Sequence, residues 1–536
     1  MSESKEVFTG IPAQTHSKTQ VIWDKYFQKD YSNVLDTISN KFVEDSIPEL
    51  LHIAGLSMTN AGKGDIGLKL LQCAATLMPQ VLNWYANAAV TLCEKYPEES
   101  LKFAEDGIKI AKHDVFYFCQ GNALVNLKQY KEAKDAFIKG LEINPNSIEI
   151  LLNLGNTYRR LGNQILGNDC YARILELEPN NHRAKFNMAS YKMAKGEHVE
   201  GAKQMCLDYL AIEDNPEVAF MLSLFLLDEG DYIKGWDLYR RRWESNLTIK
   251  DRVDFRRPIA DSLEQIRNKR IVVFHEQGFG DSLQFSRYVN GLKDYTNEIY
   301  LAVPNALMKL FKLSYPFANV VNSRDLALPY DYEVPMLNLP YLFGSTLDNL
   351  PNTPYLKYDT KKDISYERGN SIIKPKIGLV WAGHKREEED LKLVDGRRSM
   401  SFADFEKIIE GFPLELFTSL QLGEPAEQAV NHPIHKLLNS DMDFLDSANA
   451  IASLDLVITV DTAPAHLASG LGVETWTLSR EDSCWRWNQK LHREQGNLKH
   501  TEWYPNMSMY YQKTKGDWSN VIEEVRNDLK KRYGNR

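Results

Sequence analysis

Two short stretches of this chain combine the residue types that hold phosphate groups in proteins. In residues 271–285 the apolar run IVVF is followed by HEQGFG, by Asp281 and by an amphipathic run. Residues 456–467 have the same order, with the apolar run LVITV before Asp461 and the letters TAPAHL. Each stretch predicts a strand, a tight turn and a helix N-terminus, whose exposed N–H groups can hold an anion. Two such stretches indicate a cleft between two nucleotide-fold domains.

Strands and helices alternate around both stretches, which predicts parallel sheets with crossover helices. Ligands of such sheets bind at the carboxyl ends of the strands, where Asp281, Gly383 and Asp461 are predicted to lie. We predict strands at 271–274, 299–303, 416–420, 456–460 and 475–478, a further strand opening at 377, and helices at 447–454 and 465–471. The predicted division is a connector at 246–269, a first Rossmann-like lobe at 270–357, a lysine-rich linker at 358–375 and a second Rossmann-like lobe at 376–536.

The first half of the chain repeats itself. Pro145 and Pro179 are 34 residues apart, and so are Gly121 and Gly155. This period, with small residues where helices cross and Pro after the second helix, resembles the tetratricopeptide repeat (TPR). We predict TPR helices over 48–245, with repeats from about 48, 81, 114, 148 and 182 and a further pair near 215–245, after a leader or partial capping repeat at 1–47.

A TPR array offers a concave surface to a peptide or protein, or serves as a dimerisation or spacer element. Four asparagines recur on the predicted first helices: Asn122, Asn153, Asn156 and Asn187. They are suited either to a ladder that grips a peptide backbone or to capping and solvating the helices. Protein recruitment, self-association and a spacer role therefore stay open.

Composition excludes several function classes. The 64 basic and 73 acidic residues give a net charge of −9, which disfavours nonspecific binding to nucleic acid or anionic membranes. The six cysteines form no C-x-x-C pair, so neither a zinc site nor a disulfide framework is indicated. A polar start and the lack of an apolar run of about 20 residues predict no membrane span and a cytoplasmic protein.

Several pieces occur in an order that is typical of one group of enzymes. They are GWDLYRRRW at 235–243, EQGFGDSLQFSRY at 276–288, GLVWAG at 378–383, DTAPAHLA at 461–468, WRW at 485–487, WYP at 503–505 and GDW at 516–518. Together they resemble bacterial TPR-containing glycosyltransferases, whose catalytic part is similar to the heptosyltransferases (glycosyltransferase family nine) and distantly similar to protein O-GlcNAc transferases. The resemblance implies an α + α/β chain: a TPR α-solenoid followed by a GT-B pair of Rossmann-like lobes.

The resemblance also implies a reaction. Enzymes of this kind move a sugar from a nucleotide-diphosphate donor to a hydroxyl, with inversion and without a metal ion or other cofactor. Here the acceptor would be a protein or glycan bound through the TPR groove. The transfer needs a base for the acceptor proton and charge stabilisation for the leaving diphosphate. Asp281 is the candidate base, since heptosyltransferases place a catalytic aspartate there; the alternative is a helix-capping role. His275 and Glu276 are weaker candidates that would orient the loop.

The donor is expected mainly in the second lobe. The Thr462 hydroxyl and the backbone of Thr462 and Ala463 would hold the diphosphate, with a helix cap as the alternative for Thr462. Asp461 would contact the sugar or ribose hydroxyls, or the loop backbone. His466 is a second candidate catalytic group that would contact the diphosphate, and its alternative is a packing role. Further residues are predicted to bind the ligand. The alternative for Trp381 is a place in the hydrophobic core, and the alternative for the arginines is a solvated charge pair. These residues are Gly278, Gly280, Trp381, Gly383, Arg397, Arg398, Gln421 and Arg486.

Three features depart from the resemblance. Cys484 stands where relatives usually have Asp, Leu422 stands where some have Lys, and residues 488–501 are longer and more polar than usual. These departures leave a second hypothesis open, a TPR protein-binding scaffold without catalytic activity. Residues 441–443 read Asp-Met-Asp, like a metal motif of another glycosyltransferase fold, but we predict helix-capping acids and no metal site.

Overall fold

The structure is a computed structural model that describes residues 20–40, 47–194, 201–244, 257–322, 329–352, 354–361, 364–368, 371–384 and 395–534. The chain forms two compact units, Met1–Tyr191 and Lys192–Arg536. None of the described helices has the length and apolar character needed to span a bilayer. Residues 246–256 of the predicted connector lie outside the described residues.

The first half of the chain consists of paired helices. Their bounds are α1 Gln20–Phe27, α2 Tyr31–Asn40, α3 Ile47–Asn60, α4 Gly64–Leu77, α5 Leu82–Leu92, α6 Pro97–Ile110, α7 Asp114–Asn126, α8 Tyr130–Ile143, α9 Ile148–Arg160, α10 Gln164–Leu177, α11 His182–Ala194, α12 Ala202–Ile212, α13 Pro216–Asp228 and α14 Tyr232–Tyr239. The first helix of each predicted repeat begins within one residue of its predicted start. The helical TPR solenoid is therefore confirmed.

The small residues of the repeat let paired helices pack closely. A Cβ added to Gly121 of α7 would lie 2.3 Å from a ring carbon of Phe137 on α8, so only glycine fits there. Two of the recurring asparagines bind each other, because Asn153 Nδ2 donates to Asn122 Oδ1 at 2.8 Å. Asn156 accepts a hydrogen bond from the Tyr171 hydroxyl at 2.6 Å. At these positions the amides connect neighbouring helices.

A four-stranded parallel sheet begins the α/β part. Its strands, β1 Ile271–Phe274, β2 Ile299–Val303, β3 Asn319–Asn322 and β4 Tyr332–Pro335, lie in the order β3-β2-β1-β4, and its helices are α15 Phe279–Phe285, α16 Asn305–Ser314 and α17 Leu339–Leu342. Strand β1 is buried throughout, as its apolar run predicts for a central parallel strand. A short antiparallel hairpin, β5 Tyr366–Arg368 and β6 Ser371–Ile373, follows within the predicted linker.

The second parallel sheet has the order β12-β11-β10-β7-β8-β9. Its strands are β7 Ile377–Val380, β8 Phe417–Ser419, β9 His435–Lys436, β10 Leu456–Val460, β11 Thr475–Ser479 and β12 Met507–Tyr511, and its helices are α18 Phe402–Ile409, α19 Phe444–Ile451, α20 Ala463–Gly470, α21 Gln489–Glu494 and α22 Ser519–Tyr533. Helix α19 starts three residues before its prediction, because Asp443 caps it by accepting the Leu445 and Asp446 N–H groups. Asp443 is thus a capping acid.

The helix pair α13–α14 shares a hydrophobic core with both sheets. Trp236 on α14 packs edge-on against Phe285 of α15, with ring centroids 5.9 Å apart, and against Trp485, at 5.3 Å. A buried ion pair adds to this packing, because Arg242 contacts Glu276 after β1. The predicted boundary at 245 between TPR helices and connector stays a prediction, although α13–α14 lie in the same compact unit as the α/β part.

Candidate functional site

Three neighbouring strands of the second sheet, β7, β10 and β11, bring polar loops to one edge at their carboxyl ends. A Cβ added to Gly383, which follows β7, would lie 2.9 Å from Thr462 Cγ2 and 3.0 Å from Arg398 Nε. Gly383 N donates to Ser399 Oγ at 3.2 Å, which fixes the loop after β7 against the arginine segment. Three of the predicted ligand-binding residues, Gly383, Arg398 and Thr462, therefore lie together.

Three arginines and two aspartates surround this point. Arg397 contacts Asp482 at 3.0 Å, Arg480 contacts Asp482 at 3.4 Å, and Arg398 contacts Asp395 at 2.9 Å. Burial is the main cause that lowers the pKa of Arg397; Asp482 opposes this shift and Arg480 adds to it. The guanidinium groups of this cluster are donors of the kind that bind phosphate. We call these five residues the arginine cluster.

Sequence reasoning missed Arg480 and Asp482. They follow β11 directly, in the letters SRED at 479–482. The rule that ligands bind at the carboxyl ends of parallel strands would have found them, because β11 is the neighbour of β10. The signal was present in the sequence.

Buried polar atoms without a partner lie beside the arginine cluster. Within the described part of the chain, no hydrogen-bond partner lies in reach of Ser479 Oγ, Arg480 Nη1 or Gln512 Nε2. Ser479 is 1% exposed and Gln512 is 0% exposed. Gln512 Oε1 accepts from Gly516 N at 3.0 Å, so the unpaired atom of this side chain is its amide nitrogen. Because an unpaired buried group costs about 1–3 kcal/mol, such atoms point to a polar ligand at this edge.

The N-terminus of α20 offers fewer donors than its sequence suggested. The Thr462 hydroxyl donates to Val460 O at 3.2 Å and does not cap the helix. Pro464 has no N–H, and Ala465 N donates back to Thr462 O at 3.0 Å. Ala463 N is the donor that this first turn can present to an anion. The arginine cluster therefore supplies more of the anion-binding capacity than the helix does.

The two phosphate-type turns of the sequence meet each other. A Cβ added to Gly280 would lie 3.0 Å from His466 Cδ2 and 3.5 Å from Ala463 Cα. This close approach packs α15 against the first turn of α20. Gly280 is thus explained by helix packing, which corrects the prediction of ligand approach. Gly278 is the residue before α15, and its N–H donates to Asp281 Oδ2 at 3.0 Å.

Asp281 is engaged through both carboxylate oxygens. Oδ2 accepts the Gly278 N–H from within the first turn of α15, because the N-cap is Gly278 and not Asp281 as the alternative predicted, and Oδ1 forms an ion pair with Arg486. Arg486 also donates to Gln284 Oε1 and to Cys484 Sγ, both at 3.0 Å. The Asp281 side chain is 20% exposed.

His466 is a buried packing residue, which corrects the prediction of a catalytic role. Its residue exposure is 5%, its Nδ1 lies 3.0 Å from the Tyr504 hydroxyl, and its ring stacks on Trp487 with centroids 5.5 Å apart. Burial, assisted by the charges of Arg486 and Arg287, lowers the pKa of His466 to about 3. The imidazole is therefore buried and neutral at physiological pH.

Three further residues that were predicted to bind the ligand have side-chain contacts with other parts of the protein. Trp381 is 0% exposed and donates from Nε1 to Pro425 O at 3.2 Å, so it belongs to the core. Gln421 Oε1 accepts from Trp381 N and Ala382 N at 3.0 Å, and its Nε2 donates to two carbonyls. Asp461 Oδ2 accepts the Trp487 indole N–H at 2.9 Å. These groups join elements of the protein.

The weaker candidates also have structural partners. Glu276 accepts from Arg242 Nε at 2.9 Å, from Arg242 Nη2 at 2.6 Å and from Leu337 N at 2.7 Å. His275 Nδ1 lies within hydrogen-bond distance of Ser282 Oγ. Burial lowers the pKa of His275, and the nearby charge of Asp281 opposes that shift. Both side chains therefore have hydrogen-bond partners within the protein, and their role in orienting the loop stays a prediction.

Comparison with known families identifies the repeats. A family model described as "TPR repeat" matches residues 121–162, and one described as "Tetratricopeptide repeat" matches residues 148–181. The helix pairs of this region are therefore tetratricopeptide repeats, the class of repeat that binds protein partners.

The chain is also similar to individual proteins. The chain is 24% identical to Protein FlbA of Caulobacter vibrioides over 447 residues, which cover 76% of this chain and 71% of FlbA. TTC0263, a thermophilic TPR protein in Thermus thermophilus, is 18% identical and covers 32% of this chain and 95% of its own, with a TM-score of 0.27. PilW, a widely conserved type IV pilus biogenesis factor, is 14% identical and covers 36% of this chain and 91% of its own, with a TM-score of 0.31.

Proposed function

We propose that this protein is an inverting glycosyltransferase of GT-B type that uses a nucleotide-diphosphate sugar and needs no metal ion. The arginine cluster at the carboxyl ends of β7 and β11 carries the proposal, together with the unpartnered buried atoms of Ser479, Arg480 and Gln512. Positive charge and unpaired polar groups at this edge of a parallel sheet suit a nucleotide diphosphate. The TPR helices would recruit a protein or glycan acceptor.

In the proposed reaction an acceptor hydroxyl attacks the anomeric carbon of the donor sugar. The new carbon–oxygen bond forms as the bond to the diphosphate breaks, and the acceptor proton passes to Asp281. The arginine cluster stabilises the negative charge that develops on the leaving diphosphate. Asp281 reaches the acceptor only if its ion pair with Arg486 loosens, because both of its oxygens are engaged at rest.

Nucleotide binding is the first test. Thermal unfolding of the full chain is measured with UDP-, GDP- and ADP-sugars at about 100 times the dissociation constant, where binding adds about 2.7 kcal/mol to the free energy of unfolding. Arg480→Gln should lower the apparent affinity for the nucleotide sugar at least about tenfold and thereby reduce the stabilisation. Arg526→Gln is the matched control, because Arg526 lies on α22 and pairs with Glu410 at 3.8 Å, outside the arginine cluster. If no nucleotide stabilises the wild-type chain, the proposal fails.

Loss of the proposed base is the second arm of the test. Asp281→Asn keeps an oxygen for the Gly278 N–H and removes the proton acceptor, so turnover should fall by about 10²–10⁴-fold while nucleotide binding is retained. Asp294→Asn changes an exposed carboxylate at the end of the helical segment 286–294, which follows α15, and should leave turnover unchanged. Unchanged turnover of Asp281→Asn would exclude Asp281 as the base.

A second candidate function, a protein-binding TPR scaffold without catalysis, is favoured by one observation. The resting contacts of Asp281 with Gly278 and Arg486 are those of a helix-capping, ion-paired carboxylate. This alternative predicts that no nucleotide sugar stabilises the chain and that the donor is not hydrolysed in its presence. The nucleotide screen therefore separates the two functions directly.

A further inference from the structure

Asn488 joins the helix pair α13–α14 to the turn that carries Arg486. Asn488 is fully buried and adopts left-handed backbone angles, φ 43° and ψ 40°, which asparagine tolerates better than most residues. Its Nδ2 donates to Leu227 O at 2.6 Å and to Asp228 O at 3.2 Å. Its Oδ1 accepts from the Tyr232 hydroxyl at 3.0 Å. All three partners belong to the end of α13 or the start of α14.

Residues 485–487, directly before Asn488, contact both phosphate-type turns. Trp485 packs on Trp236 of α14, with ring centroids 5.3 Å apart. Arg486 forms the ion pair with Asp281, and Trp487 Nε1 donates to Asp461 Oδ2 at 2.9 Å. Four consecutive residues thus connect α13–α14, the turn of Asp281 and the turn of Asp461.

We propose that Asn488 is a positioning residue, which fixes residues 485–487 to the helix pair α13–α14 and thereby sets the place of Arg486 beside Asp281. The three hydrogen bonds of Asn488 are the polar contacts that hold this turn to α13 and Tyr232. Without them the turn keeps the packing of Trp485 on Trp236 and the Trp487–Asp461 hydrogen bond, and loses its hydrogen bonds to α13 and Tyr232. The catalytic consequence rests on the proposed function, and the structural consequence does not.

Cys484 reports on this arrangement independently of catalysis. Its Sγ accepts from Arg486 Nη1 at 3.0 Å, and the residue is partly exposed. The test measures the alkylation rate of Cys484 by iodoacetamide in the full chain, resolved by peptide mass spectrometry, with the exposed Cys73 as internal reference. Asn488→Gly keeps the backbone angles accessible and removes all three hydrogen bonds. We expect the ratio of Cys484 to Cys73 alkylation to rise about 5- to 10-fold.

The matched control is Asn497→Gly, which changes an exposed asparagine of the same segment and should leave the alkylation ratio unchanged. Tyr232→Phe removes one of the three hydrogen bonds, together with the bond from Trp503 Nε1 to the Tyr232 hydroxyl at 3.1 Å, and should raise the ratio about twofold. If Asn488→Gly does not fold, Tyr232→Phe decides the outcome. The proposal is overturned if Asn488→Gly folds and its alkylation ratio is unchanged. If Asn488→Gly does not fold, an unchanged ratio in Tyr232→Phe overturns the proposal.

Turnover provides the second readout. With the donor that the nucleotide screen identifies, Asn488→Gly should lower kcat about tenfold and leave the KM for the donor within twofold, because the arginine cluster is untouched. An equal loss in donor binding would indicate a general structural effect and would refute the positioning role. If the wild-type chain transfers no sugar, the proposed function fails, and the alkylation ratio still tests the placement of Arg486.

Discussion

Replacing Glu276 by Gln should strongly destabilise the second compact unit. The Arg242 side chain is 0% exposed and that of Glu276 is 5% exposed, and the two are joined by bonds of 2.9 and 2.6 Å. Gln keeps the shape but removes the charge, and its amide nitrogen would face a guanidinium donor. Because breaking a buried pair leaves an uncompensated charge, the free energy of unfolding should fall by about 3–5 kcal/mol.

The expected change in melting temperature follows from the size of the unit, Lys192–Arg536, about 345 residues. At about 2.1 cal/mol/K per residue the unfolding entropy of this unit is about 0.7 kcal/mol/K. A loss of about 3–5 kcal/mol in the free energy of unfolding therefore lowers the melting temperature by about 4–7 °C. Differential scanning calorimetry of the full chain measures this shift in the transition of the second unit.

The neighbouring arginine provides a matched control. Arg241 contacts Asp214 at 2.7 Å, but the Asp214 side chain is 77% exposed. Asp214→Asn should therefore change the free energy of unfolding by no more than about 0.5 kcal/mol. A loss of less than 1 °C in Glu276→Gln, or equal losses in the two variants, would refute the reasoning that burial decides the strength of the Arg242–Glu276 pair.

Two further predictions concern the contact between α15 and α20. Gly280→Ala places a Cβ 3.0 Å from His466 Cδ2 and should lower the free energy of unfolding by about 1–3 kcal/mol in urea titrations, whereas Gly396→Ala, with open space at its Cβ, should not lower it; equal effects would contradict the packing role. The pKa of His466 is about 3 in the folded chain and about 6.5 when unfolded, so the unfolded chain takes up the proton as pH falls below 6.5. His466→Gln should therefore remove about 2 kcal/mol of the stability that the wild-type chain loses between pH 7 and pH 5, and an unchanged loss would show that the histidine is accessible to protons.

The repeat helices were predicted well because their packing is local in sequence. Gly121 and Phe137 meet across one helix–turn–helix unit, so the residues that determine the contact lie within a single period. The parallel strands β1 and β10 were also predicted with their observed bounds, because central parallel strands are continuous apolar runs. The hairpin β5–β6 was missed, since three-residue strands show no usable alternation.

The candidate site was predicted only in part. Gly383, Arg398 and Thr462 lie together because β7 and β10 are neighbours in a parallel sheet, and the carboxyl ends of parallel strands meet at one edge. The partners of Trp381 and Gln421 come from the ends of neighbouring strands, and whether a side chain there points into the core or the cleft depends on one residue of register. The sequence contained the candidates, and the geometry of strand ends decided among them.

The role of a glycine or aspartate in a strand–turn–helix pattern depends on what lies opposite. Gly280 and Asp281 stand in a turn that fits an anion, yet their partners are His466 and Arg486, far along the chain in the second sheet's region. A turn that binds a ligand and a turn that packs against a second helix both need a small residue and a free N–H. The local sequence pattern therefore does not distinguish ligand binding from helix packing. The distinction rests on unpaired polar atoms, because the groups of a packed turn are bonded to their protein partners, as Asp281 is to Arg486. Buried atoms of Ser479, Arg480 and Gln512 beside the arginine cluster have no partner among the described residues, and this edge of the sheet is therefore the stronger candidate for a ligand.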